Sequence, residues 1–148
     1  MSKVIQAFLS GMFFTFILDF FLFLGIKMHY IDSLNIDLYY NILFADNQNI
    51  FVFLFFTILL GYITIYKSHK LSLAVIGSLF LLVFATLLSP IGFLSGEMLL
   101  MQKNKTIQTK RFLYTGDVYY EGRKKTFIYD YKLDKVIILD NKNIKENN

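Results

Sequence analysis

The stretch Phe13 to Gly25 reads FFTFILDFFLFLG, and its one charged residue is Asp19. A carboxylate set among phenylalanines can do three kinds of chemistry. Protonated, it donates a hydrogen bond and clips helices together. Facing outward, it meets a polar or basic group on a partner. In series with other ionisable groups, it relays a proton or an ion. A charged carboxylate near the centre of a bilayer costs about 2.5–3.5 kcal/mol on insertion scales, so its presence calls for a reason. The relay fits least well, because no second ionisable residue lies inside an apolar run.

Other reactive side chains are few. There is no cysteine, which excludes disulfides, thiolate catalysis and zinc–sulfur sites. The two histidines, His29 and His69, each adjoin the end of an apolar run. Three crossings put them on opposite sides, so they make neither a metal site nor a catalytic pair. No phosphate-binding glycine loop and no Ser-His-Asp arrangement is present. Gly92 to Gly96 forms a GxxxG with Glu97 just beyond it, which reads as an interfacial carboxylate after Pro90. Asp130 and Asp134 read as residues of a solvated hairpin. The chain is expected to be non-enzymatic, with no cofactor and no metal.

The elements that must position Asp19 follow from hydropathy. The chain has 148 residues, is 55% hydrophobic and has a mean hydropathy of +0.50. These values place it in the integral membrane class. Its Lys, Asn, Ile, Phe and Tyr content suits an AT-rich bacterial genome. Val4 to Ile26 carries one charge over 23 residues and is long enough to span. Three transmembrane helices are predicted, at about 4–26, 50–66 and 71–89, the last kinked or broken at Pro90. One helix from Leu71 to Met101 would be about 46 Å long, more than the hydrocarbon core holds. An amphipathic segment is expected over about 30–44 and an interfacial segment over 91–101.

Within the first span, Ala7, Gly11, Thr15 and Asp19 recur every four residues, a stripe of small and polar side chains suited to close helix packing. Counting depth from the span ends puts Thr57 and Thr86 at the level of Asp19. These six residues are the expected intramembrane packing or partner contacts.

From about Thr106 the period changes to two, with turn signals at Thr115-Gly116-Asp117 and Glu121-Gly122-Arg123. The chain therefore divides into a helical region, 1–101, and a small basic antiparallel β domain, 102–148, with a frayed end at 141–148. Residues 1–96 hold four lysines and four aspartates. Residues 97–148 hold eleven Lys and Arg against seven Asp and Glu, so the net charge of +4 sits there. Lys103, Lys105, Lys110 and Arg111 are expected to set topology and meet anionic lipid headgroups. Tyr114, Tyr119, Tyr120, Tyr129 and Tyr131 are a candidate partner surface.

The composite expectation is a multi-pass protein of a bacterial inner membrane with its C-terminal domain in the cytoplasm. It would act as an accessory or assembly subunit, chaperone-like, of a larger complex such as a flagellar stator, a secretion apparatus or a respiratory oxidase. It has no nucleic-acid partner, and homo-oligomers are allowed. The alternatives are a small oligomeric channel or transporter using Asp19, and a membrane sensor with the sheet as its output domain.

Overall fold

Three side chains start the principal helices. Ser2 Oγ accepts the Ile5 N–H at 3.3 Å, Asn49 Oδ1 accepts those of Phe51 and Val52 at 2.9 and 3.2 Å, and Ser68 Oγ accepts that of Leu71 at 3.4 Å. Each satisfies backbone donors that lack a partner inside the helix. The computed structural model describes residues 2–144. Among them are α1 (Lys3–Ile26), a π-helical turn (Lys27–Ile31), α2 (Tyr40–Asn47), α3 (Ile50–Tyr66), α4 (His69–Ala85) and α5 (Ser89–Leu100). Strands β1 (Gln102–Gln108), β2 (Leu113–Glu121), β3 (Lys125–Asp130) and β4 (Lys135–Asp140) follow. The chain forms two compact units, Met1–Phe93 and Leu94–Asn148.

Among the described residues, Lys3–Ile31 is the one helix long and apolar enough by itself to cross a membrane. The count reaches three only if two bent pairs are each taken as a span. These are α2 with α3, bent by 83°, and α4 with α5, bent by 95°. The second bend follows the turn at Thr86–Leu88. Pro90 lies in the first turn of α5, where its missing N–H costs no helical bond. The amphipathic segment expected over 30–44 is not one helix. A π-turn ends at Ile31, Asn35 takes a positive φ of 53°, and α2 starts only at Tyr40. Lys27 forms an ion pair with Asp32 across the π-turn, before this break.

Helix α1 is the hub, and it packs most extensively on α3. Aromatic rings join it to the other two helices. Phe23 and Phe16 meet Phe44 of α2, and Phe20 meets Tyr40, whose hydroxyl donates to the Phe20 carbonyl at 2.9 Å. On another side, Phe21 packs edge-on to Phe84 of α4, with centroids 4.8 Å apart. The phenylalanines flanking Asp19 thus serve two different neighbours.

The four-stranded sheet is an antiparallel meander, β1-β2-β3-β4. Ile107, Val118, Ile128 and Leu139 form its buried core, with Tyr114, Ile137 and Ile144 packed against them. Irregularities interrupt β1–β2 between Gln102 and Lys105 and β2–β3 between Val118 and Tyr120. Such bulges bend and twist a ladder. Thr109, just past β1, bridges Ile144, just past β4, and the Lys110 N–H donates to the Asn143 carbonyl at 3.1 Å. These residues adjoin opposite edge strands and can meet only because the sheet curls. Asp130 sits 1% exposed at the β3–β4 turn and accepts the N–H groups of Thr115, Lys132 and Leu133. It is a buried structural acceptor, not the solvated hairpin residue expected.

Candidate functional site

A polar seam runs between α1 and α3 and is built on glycine. A Cβ on Gly11 would lie 1.8 Å from the Thr57 carbonyl oxygen, and one on Gly61 would lie 2.1 Å from that of Ala7. The two backbones touch, as small residues permit in lipid. The contact also sets the antiparallel register, with Ala7 beside Gly61 and Gly11 beside Thr57. Two helical turns further along α1, Asp19 lies level with the residues just before α3. There Gln48 Nε2 donates to Asp19 Oδ2 at 2.9 Å.

Neither Thr57 nor Thr86 bonds Asp19, which corrects the levels expected from counting depth. That count assumed that the first two spans end together. The glycine contact instead slides α3 along α1 until Thr57 stands at Gly11. Thr86 belongs to a second close approach, where a Cβ on Gly25 would lie 2.3 Å from Thr86 Oγ1. Gly92 completes this junction, its Cβ position lying 2.3 Å from the Thr86 carbonyl oxygen. His29 Nε2–H donates to the Leu87 carbonyl at 2.7 Å, which locks the α4–α5 turn onto the end of α1.

The seam is only partly satisfied. The hydroxyls of Thr15 and Thr57 and the side-chain oxygen of Gln48 are buried without a hydrogen-bond partner among the described residues. In contrast, the hydroxyls of Thr64 and Thr86 donate to the carbonyls of Leu60 and Val83, both at 2.7 Å. Orphaned buried oxygens call for water or another polar guest. Gln48 was not singled out from the sequence. Its signal was present as an amide directly before the Asn49 cap, but it becomes a partner for Asp19 only once the register is known.

Lys103, Lys105, Lys110 and Arg111, the basic residues singled out in the β domain, divide into two pairs. Lys103 pairs with Glu97 at 2.6 Å and Lys105 with Glu121 at 3.0 Å. The carboxylate of Glu97 raises the Lys103 pKa above its ordinary value. Lys110 and Arg111 are exposed between β1 and β2 with no salt bridge among the described residues.

The five tyrosines also separate. Tyr119 stacks on Tyr129 at 6.0 Å, and Tyr131 meets Tyr129 edge-on at 6.3 Å, which makes one aromatic patch. The Tyr131 hydroxyl donates to Asp117 and that of Tyr129 to Asp134. These bonds to carboxylates push both phenols up, and burial pushes up Tyr119. Tyr114 packs against the core instead, and Tyr120 is 1% exposed beside Phe127, so neither belongs to this patch. Successive side chains of β2 face opposite ways, so Tyr120 lies buried with Gly116 and Val118 while Tyr119 lies on the other side.

Among the described residues no three His, Asp or Glu side chains are placed to hold a metal. The helical unit holds α1 against α3 through glycine contacts, and the β unit, by itself, presents an aromatic patch and a basic turn. Comparison with protein-family models, curated proteins and solved structures found no match to the chain.

Proposed function

We propose that this chain is a non-enzymatic accessory subunit that binds and stabilises a larger complex in a bacterial inner membrane. A flagellar stator, a secretion apparatus and a respiratory oxidase are candidate clients. One observation carries the reading. A Cβ on Gly11, Gly25, Gly61 or Gly92 would run into a neighbouring backbone, whereas one on Gly77 of α4 would meet nothing within 4 Å. The surrounding face includes Ala74, Ser78 and Leu81, all exposed, with Leu81 at 74%. A chain that uses helical glycines for backbone contact thus carries one whose groove is open, and a partner helix fits there. The count of Lys and Arg near the spans supports a cytoplasmic side for the sheet.

The test is site-specific photocrosslinking of the full chain in native membranes. A photoreactive residue at Leu81 should capture one dominant membrane protein, and one at Leu60, which is fully buried, should capture none. Gly77→Leu should abolish capture while leaving thermal unfolding in detergent unchanged. Equal capture from both positions, or capture that survives Gly77→Leu, would overturn the reading. Reporter fusions after His69 and after Asn148 test the orientation.

The three orphaned oxygens along the α1–α3 seam that ends at Asp19 favour a second reading, a small oligomeric ion path. Ion flux in proteoliposomes that is lost in Asp19→Asn would support it over the first.

A further inference from the structure

The turn between β1 and β2 reads Thr109-Lys110-Arg111-Phe112, and Leu113 opens β2. Tight turns between strands favour Gly, Asn, Asp and Ser. Here two large apolar side chains stand in water, Phe112 63% exposed and Leu113 57% exposed. The turn is held rigid. The Phe112 N–H donates to Thr109 Oγ1 at 3.0 Å, and the Thr109 N–H and hydroxyl both donate to the Phe112 carbonyl, at 2.8 and 2.9 Å. The Lys110 N–H is tied to Asn143.

Charge says what covers this tip. Gln102 to Leu113 contains Lys103, Lys105, Lys110 and Arg111 and no acid. The fold neutralises the first two with Glu97 and Glu121 and leaves the two beside Phe112 without a salt bridge among the described residues. Lys110 and Arg111 also line a groove of about 450 Å³ with Ile138, Asp140 and Asn143, and Asp140 makes no salt bridge to either among the described residues. Apolar side chains next to cations that make no salt bridge among the described residues match a bilayer surface, with acyl chains below and anionic headgroups above. Only Met101 separates α5 from β1, and β1 spans about 23 Å, so the tip is within reach of the membrane that holds the helices.

We propose that the β1–β2 turn is a membrane-docking finger. Phe112 and Leu113 enter the edge of the acyl region, and Lys110 and Arg111 bind anionic phospholipid headgroups. The proposal stands on membrane attachment alone and does not depend on the accessory role.

The chain has no tryptophan, so Phe112→Trp installs a single indole. Leu113→Trp is a second reporter should the first disturb the fold. The full protein is placed in bilayer discs of phosphatidylcholine alone or of phosphatidylcholine with phosphatidylglycerol. In the anionic discs the indole should emit at shorter wavelength and be quenched by brominated acyl chains. Lys110→Gln with Arg111→Gln should lower the docked-to-undocked ratio about thirtyfold, at roughly a tenfold change for every 1.4 kcal/mol and about 1 kcal/mol per cation. Water-like, unquenched emission from both reporters in both discs would overturn the proposal. So would quenching indifferent to phosphatidylglycerol and to the loss of both cations.

Discussion

Gly11 and Thr57 meet backbone to backbone, with no room for even a methyl group between them. Gly11→Leu must therefore force α1 and α3 apart. We expect a loss of at least about 1–3 kcal/mol, the usual range for overpacking. Gly77→Leu should change stability by less than about 0.5 kcal/mol, since its Cβ meets nothing. Thermal unfolding in detergent compares the two, and equal effects would contradict the packing described.

Asp19 and Gln48 hold each other within the chain. Asp19→Leu and Gln48→Leu should each destabilise the helical unit, and the double variant should be hardly worse than either alone. A double-mutant cycle should give a coupling of about 0.5–1.5 kcal/mol, the range of hydrogen bonds between helices in membranes. Strict additivity would mean that the two residues do not interact.

Asp130 gives the sheet a pH dependence. Burial alone would raise its carboxyl, but the N–H groups of Leu133, Thr115 and Lys132 outweigh that and hold it below its ordinary value of 3.8. A depressed native pKa contributes stability that is fully present above the ordinary value and is lost as pH falls through the native one. The tyrosine near-ultraviolet dichroism should therefore persist to about pH 4 and fade below it. In Asp130→Asn the amide faces the Thr115 N–H, donor against donor. That variant should be less stable at neutral pH and should lose this acid-dependent component.

Ile128 is fully buried at the centre of a four-residue core. Ile128→Ala should cost about 2–5 kcal/mol. That is most of what so small a sheet can hold. Amide chemical-shift dispersion from the β unit should collapse while helical circular dichroism persists. Ile138→Ala, at a site 56% exposed, should leave the dispersion intact.

Much of the fold was legible locally. Unbroken apolar runs mark α1, α3 and α4, and alternation marks β3, because period is a property of neighbours in sequence. The turn expected at Thr115-Gly116-Asp117 lies instead inside β2, where Gly116 lets the β3 backbone approach. Ala7, Gly11 and Thr15 share a face of α1 for the same reason, and all three are buried. The break before α2 was not legible. Ile31, Leu34, Leu38 and Ile42 keep helical spacing, yet Asn35 in the left-handed region ends the helix between them. The five tyrosines divide for a different reason: neighbours in a strand face opposite ways, so Tyr119 and Tyr120 cannot share a surface.

By itself the sequence determined that an acid would lie in a long apolar helix, on the side of its small residues. It determined too that a basic sheet would follow the last helix. Only the tertiary structure decided that the acid meets Gln48 and not a threonine, and that Lys103 and Lys105 are neutralised while Lys110 and Arg111 make no salt bridge among the described residues. Both outcomes depend on register. Register is settled where distant backbones can approach, as Gly11 allows at Thr57, and no count along a single helix contains that distance.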